Sequence, residues 1–315
     1  MIFLLQLNQS KTDRGIIPSV KNQINMELII KNITPEESLQ KGMELREMFL
    51  ERIASAIKKG SFKKYRHLYI YSPPGLGKTF SVRKMLNELG IHHIELTGNT
   101  SIFAFGIMLA VVQYNNPDLL PLIVFVDDSD ELFRTEPSCN TMKNALEGAN
   151  KFTYEKSMVN LEDKLDDLQV EAIRYFKGEG KSGFEVPTHN LTFIFTSNNR
   201  LPLDHEVELV KKKGLARSPL VVHRNAIRSR CRVLDFDLNR TEHWGWLADV
   251  ALHTNCLSEL GLDKESTHEI LMYLWKHWDN LKERSIRVIE KMGLTIIEQP
   301  QDYEKYWKMD FLKVA

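Results

Sequence analysis

The chain has 315 residues, 43% hydrophobic and 27% charged, the balance of a globular fold with room for about two domains. Its 42 lysines and arginines are matched by 42 aspartates and glutamates, so net charge gives no drive toward nucleic acid or acidic lipid. Apolar runs fall far short of the roughly 20 residues of a membrane helix, and Cys139, Cys231 and Cys256, without a CxxC pair, exclude a disulfide framework or a structural zinc site and fit a reducing cytosol.

Met1–Leu7 is apolar but lacks a basic leader, so no signal peptide is expected. Residues 1–33 have no clear periodicity and read as a linker or adaptor. Thr34-Pro35-Glu36-Glu37 predicts a helix start with a capping box, and Leu39, Met43, Leu50, Ile53 and Ile57 continue at helical spacing to Gly60. His67–Tyr71 then reads as a strand. A Pro-Gly turn follows it, and Val82, Met85, Leu86 and Leu89 mark one face of a helix ending at Gly90. Further buried-strand patterns lie at Ile91–Leu96, Leu122–Val126, Leu191–Thr196 and Val233–Phe236, with helical stretches between them. That alternation predicts an α/β fold with a parallel sheet.

Two segments read as inserted. Residues 136–190 carry a helical pattern (Leu161, Leu165, Leu168, Ala172) and a glycine-rich tip, and residues 200–222 include Lys211-Lys212-Lys213-Gly214. After Thr241 only helical patterns remain, at His243–Cys256, Thr267–Trp278 and Leu281–Met292. The expected organisation is a linker at 1–33, an α/β domain at 34–240, a small helical domain at 241–299 and a tail at 300–315. The five tryptophans (Trp244, Trp246, Trp275, Trp278, Trp307) read as core and interface residues of the last two.

Ser72-Pro73-Pro74-Gly75-Leu76-Gly77-Lys78-Thr79 matches a phosphate-binding loop at every defined position except the first, where serine replaces glycine. Gly75 and Gly77 let the backbone wrap phosphate oxygens, and the helix beginning near Lys78 offers its positive end to the same anion. Lys78 adds a point charge, and the Thr79 hydroxyl is a magnesium ligand. About forty residues on, Leu122–Val126 ends in Asp127-Asp128. Asp127 is the natural magnesium partner, through water, and Asp128 the group that polarises an attacking water. The alternative is a solvated acidic turn running into Asp130-Glu131.

These motifs resemble those of AAA+ ATPases: Pro73–Thr79 is similar to the family's Walker A and Val126-Asp127-Asp128 to its Walker B, where most members have Glu in place of Asp128. One fewer methylene sets the base back by about one bond length, a displacement that slows hydrolysis. The end of Phe193–Asn199 resembles sensor 1, with Asn198 the choice and Asn199 the alternative. Ser229-Arg230-Cys231 resembles the arginine-finger motif of clamp loaders, including phage ones, and Arg284–Arg287 resembles sensor 2, with Arg287 preferred over Arg284.

The resemblance implies a P-loop AAA+ module, a five-stranded parallel sheet flanked by helices and followed by a helical lid. It further implies ATP and Mg2+ as cofactors, with Pro74, Gly75, Leu76, Gly77, Lys78, Thr79, Phe80 and Arg287 around the nucleotide. Thr79 and Asp127 would hold the metal. Lys78, Asp128, Asn198 and Arg230 would carry catalysis, Arg230 in the site of the next subunit of an oligomeric ring. The expected activity is ATP-driven remodelling of a protein or protein–nucleic acid complex. The alternatives are a clamp-loader-like replication ATPase acting on DNA and a sliding clamp, and an ATP-binding scaffold with little hydrolysis. The expected location is cytoplasmic (the host cytoplasm if viral), with no membrane partner. Phe103 and Phe105 stand where translocating relatives carry a pore loop, although packing within a helix accounts for them as well. Nine Lys/Arg against three acids in residues 200–232 form either a phosphate-tracking patch or a solvated insertion.

Overall fold

The computed structural model describes residues 33–60, 67–147, 151–155, 164–212 and 219–313. The readings made on residues 1–32, Leu161, Lys213, Gly214 and Arg217 lie outside them.

Helix α1 (Pro35–Gly60) starts at the predicted capping box: the Glu37 N–H donates to Thr34 Oγ1 (3.2 Å) and Glu37 Oε2 accepts from the Thr34 N–H (3.0 Å). Strand β1 (His67–Tyr71) leads through the loop into α2 (Lys78–Glu88). Then come β2 (His93–Thr97), α3 (Ile102–Tyr114), β3 (Leu122–Asp127), a 3-10 turn (Ser129–Phe133) and α4 (Glu136–Leu146). Strands β4 (Lys151–Tyr154) and β5 (Phe184–Pro187) pair antiparallel and flank α5 (Asp167–Phe176). After them follow β6 (Leu191–Ser197), α6 (Asp204–Lys212), α7 (Pro219–Arg230) and β7 (Cys231–Asp235).

The main sheet is five-stranded and parallel, in the order β2-β3-β6-β1-β7. Strand β6 lies at its centre and is buried at every position, as a strand covered on both faces must be. Two apolar clusters sit on opposite faces. One gathers α1, α2 and the C-terminal helices, including Phe49, Val82 and Trp246. The other gathers α3, α4, α5 and the β4–β5 ribbon, including Phe105, Met142 and Phe152.

Among the described residues four α-helices follow: α8 (Arg240–His253), α9 (Lys264–His277), α10 (Ile286–Glu298) and α11 (Tyr303–Phe311). Helix α1 crosses α8 with Gly42 against Gly245, where a β-carbon on Gly42 would stand 2.0 Å from the Gly245 carbonyl carbon. Ser38 Oγ donates to Thr241 O (2.5 Å), and Arg46 pairs with Asp249 (3.0 Å) beside that crossing.

Several expectations are corrected. Helix α5 begins at Asp167 and leaves Leu165 outside it, because Asp166 caps it, accepting from the Gln169 N–H at 2.8 Å. Helix α10 begins at Ile286 rather than Leu281, because Ser285 is its cap and Leu281 instead bridges to Leu312. Residues 303–311, expected in a tail, form α11, whose buried Trp307 donates to Met292 O at 3.1 Å. Phe105 in α3 is fully buried, 6.0 Å from the Phe152 ring, and Phe103 lies against Tyr154 (4.8 Å), so packing rather than a pore loop accounts for both. No helix among the described residues is long and apolar enough to cross a membrane.

Candidate nucleotide site

The order β3-β6-β1 brings the C-terminal ends of three neighbouring strands together, the edge at which open parallel sheets bind ligands. Strand β1 delivers the loop. Gly75 (φ +76°) and Gly77 (φ +77°) both occupy the left-handed region, which costs a glycine nothing and strains other residues. Around the position a Gly77 β-carbon would take, nothing lies within 4 Å, whereas one on Gly75 would strike Ser285. Leu76 is buried, while Pro74 and Phe80 are exposed at the rim. Ser72, the departure from the glycine pattern, is buried and donates to Pro73 O (3.1 Å).

Lys78 is buried at the base of the loop. Its ammonium donates to Ser72 O (2.9 Å) and to Asn198 Oδ1 (2.8 Å). Burial lowers its pKa, the carboxylates of Asp128, Asp130 and Asp127 oppose that in descending order, and Arg287 lowers it further. The ammonium is therefore poorly solvated and surrounded by acceptors, a state in which it gains by meeting a polyanion.

The Thr79 hydroxyl donates to Asp127 Oδ1 at 2.6 Å, and Thr196 donates to the same oxygen at 2.6 Å. A hydroxyl and a carboxylate are hard oxygen donors, and magnesium takes only one or two protein carboxylates while keeping several waters. With its proton committed to Asp127, the Thr79 oxygen keeps lone pairs for a cation. The donor set and the free space beside Gly77 thus fit Mg2+ and a phosphate chain.

Asp128 takes left-handed backbone angles (φ 50°, ψ 52°), a conformation Asp tolerates better than most residues. Its N–H donates to Thr196 Oγ1 (3.2 Å), and the Ser129 hydroxyl donates to Thr196 O (2.8 Å), so the end of β3 is tied to β6 at successive residues. Asn198 Nδ2 lies 3.4 Å from Asp128 Oδ1. One amide therefore spans the loop lysine and the second carboxylate. The Asn199 backbone carbonyl accepts from Tyr69 Oη at 2.8 Å.

The C-terminal helices close over the loop. The Ile286 N–H donates to Gly75 O (3.0 Å), and the Trp246 indole N–H donates to Leu76 O (2.9 Å). Arg287 is exposed in the first turn of α10, and its charge is felt at Lys78. Arg284 is engaged elsewhere, donating to Trp278 O (3.0 Å) with its guanidinium 5.6 Å from the Trp278 ring centre.

Lys78, Thr79, Asp127, Asp128 and Asn198 thus form one bonded cluster, and Arg230 stands outside it. Arg228 and Arg230 lie in the last turn of helix α7, and Arg232 is on strand β7. The Arg230 guanidinium donates to Ala226 O (2.8 Å) and pairs with Glu147 at the end of α4. The basic stretch is also partly neutralised: Arg200 pairs with Asp237 (2.7 Å) and Asp235 (3.3 Å), and Arg224 with Asp204 (2.6 Å).

Sequence reasoning missed Thr196, Ser197, Trp246, Ser285 and Glu147. Asp130, read as part of an acidic turn, also belongs to the site, because Ser197 Oγ (2.5 Å) and the Asn198 N–H (3.1 Å) both donate to it. Its spacing of two after Asp128 was visible, but its partners on another strand were not.

A family model described as "ATPase family associated with various cellular activities (AAA)" matches residues 68–212. Human ATPase family AAA domain-containing protein 3B is 27% identical over 95 residues, which cover 29% of this chain and 14% of that protein. The Drosophila melanogaster AAA domain-containing protein 3A homolog is 28% identical over 136 residues, covering 40% of this chain and 22% of that protein. The match therefore spans less than a quarter of these relatives. Among solved structures, the Thermotoga maritima RuvB Holliday junction branch migration motor superposes with a TM-score of 0.42 and 15% identity, covering 83% of this chain and 63% of that one. The replication initiator DnaA bound to AMPPCP and single-stranded DNA gives 0.41 and 14%, covering 82% and 63%.

Proposed function

We propose that the chain, whose residues 68–212 match the AAA family model, binds Mg-ATP at the β1 loop and hydrolyses it. The observation that carries this reading is the Thr79–Asp127 hydrogen bond of 2.6 Å, which joins a loop hydroxyl to the first carboxylate of the acidic pair. Magnesium held there would screen the β- and γ-phosphates, and every other task falls to the chain's own groups.

Lys78 exchanges its bonds to Ser72 O and Asn198 for phosphate oxygens. Asp128 accepts the proton of an attacking water, and Asn198, released from the lysine, orients that water beside it. Arg287, entering from the lid, senses the same charge, and the bonds from Trp246 and Ile286 to the loop carry a change there into the helical domain. Arg230 acts in the site of a neighbouring copy, so the working unit is an oligomer, and rotation between copies drives remodelling of a protein or protein–nucleic acid complex.

A second reading is a nucleotide-dependent scaffold with little turnover. The short Asp128 side chain, already engaged with Asn198, favours it. The clamp-loader-like reading rests on Ser229-Arg230-Cys231, and the ion pairs of Arg200 and Arg224 take support from its basic surface.

The deciding experiment measures phosphate release with and without Mg2+ for the wild type and Lys78→Ala, together with particle size with and without ATP. Magnesium-dependent release that Lys78→Ala abolishes supports the enzyme. Tight ATP binding with release no faster than in Lys78→Ala supports the scaffold, and no nucleotide binding overturns both. Stimulation by DNA or by an unfolded polypeptide then separates the two substrate classes.

A further inference from the structure

Past the two aspartates that end β3, the chain turns through Ser129 to Asp130, a half-buried carboxylate that the hydrolytic steps above do not use. The Ser197 hydroxyl donates to its Oδ1 at 2.5 Å, and the Asn198 N–H donates to the same oxygen at 3.1 Å. Ser197 is fully buried, and its oxygen also accepts from the Asn199 N–H at 2.9 Å. Counting protons fixes the direction of the network. Ser197 has one, and the short contact to a carboxylate is where it is held most strongly. Tyr69, whose hydroxyl lies 2.8 Å from both Ser197 Oγ and Asn199 O, then shares its one proton between those two acceptors. Burial raises the Tyr69 pKa, and the Asp130 charge adds to that, so the phenol keeps its proton as the network requires.

Every member of this network lies at the root of Asn198 and none beyond its side chain. We propose that Asp130 is a positioning residue, which fixes the backbone at Asn198 so that the amide spans Lys78 and Asp128. The effect on turnover rests on the ATPase reading given above, whereas the effect on the Asn198 backbone does not. Without the Asp130 acceptor, the Asn198 N–H has only water, and the residue just past the central strand loses its tie to the turn after β3. Misplacing a water-orienting group by about 1 Å costs on the order of 100-fold in rate.

The test compares the full-length wild type, Asp130→Ala and Asp130→Asn. Asp130→Ala removes the acceptor, whereas Asp130→Asn keeps a neutral oxygen in its place. Two quantities are read: amide hydrogen exchange at Asn198 without nucleotide, and kcat and KM for Mg-ATP. For Asp130→Ala, exchange at Asn198 should rise by roughly tenfold or more. Its kcat should fall about 10- to 100-fold with KM nearly unchanged. Asp130→Asn should recover most of both. Unchanged exchange at Asn198 in Asp130→Ala overturns the proposal, and so does an unchanged kcat in an otherwise active protein. Should Asp130→Ala fail to fold, Ser197→Ala, which removes one of the two donors, takes its place with the same readouts. A wild type that turns over no ATP while Asp130→Ala still speeds exchange at Asn198 overturns the ATPase reading and leaves the positioning role standing.

Discussion

Thr79 and Asp127 meet at 2.6 Å across the end of the sheet, the hydroxyl of one loop donating to the carboxylate of a strand that β6 separates from β1. Thr196 on β6 donates to the same carboxylate oxygen and holds it in place. Asp127→Ala should therefore weaken nucleotide binding in magnesium by on the order of tenfold or more and leave metal-free binding nearly unchanged. Titration of a fluorescent ATP analogue with Mg2+ and with EDTA checks this. Equal loss in both conditions would mean that the carboxylate supports the loop and not a metal.

Arg230 is engaged within its own chain by Glu147. To serve a neighbouring site it must leave that carboxylate, so Glu147→Gln should raise turnover or lower the protein concentration at which turnover appears. Arg230→Ala should cut turnover by about three orders of magnitude and keep ATP affinity. Mixing Arg230→Ala with Lys78→Ala should restore part of the activity, since each variant supplies what the other lacks. If mixed subunits stay as inactive as either alone, action between copies is wrong.

The crossing of α1 and α8 leaves no room for a side chain, because a β-carbon on Gly245 would lie 1.9 Å from Ser38 O. Backbone cannot yield as a flexible side chain does, so Gly245→Ala should cost about 2–3 kcal/mol or more. A calorimetric melting temperature several degrees lower would show it, and unchanged melting would mean that the two helices do not dock this way.

His243, packed edge-on to Trp278 at 5.2 Å, has its pKa lowered to about 4, first by burial and then by the charge of Arg284. In the unfolded chain the imidazole takes up a proton near its ordinary value of about 6.5, which the folded state resists. Stability from this group is thus full above about 6.5 and is lost as pH falls toward 4, by roughly 3 kcal/mol in all. Denaturant unfolding at pH 7 and pH 4.5 should show that loss, and His243→Phe should flatten it. A His243→Phe variant with the same acid sensitivity would assign the effect to other groups.

Much of the site was legible because its chemistry is local. Gly75, Gly77, Lys78 and Thr79 sit within one turn, where glycine conformation and helix polarity act on near neighbours. Asp127 was legible as a charge ending an apolar strand. The starts of α5 and α10 were misread because hydrophobic spacing marks a face, whereas a side-chain cap such as Asp166 or Ser285 decides where the helix begins. Phe105 was ambiguous for a related reason: a phenylalanine reads alike in a loop and in a helix until Phe152 and Phe193 are known to surround it.

By itself the sequence determined the strand, loop and helix of the phosphate site, the acidic end of β3 and the α/β class, since each follows from residues close together in the chain. The tertiary structure alone decided that β6 lies between β3 and β1, and hence that Asn198 bridges Lys78 and Asp128 with Asp130 beneath it. It also decided that Arg230 pairs with Glu147 and that α1 docks on α8. These contacts join residues from tens to more than two hundred positions apart. Their partners are chosen by sheet order and by the fit of one buried surface to another, which no local propensity encodes.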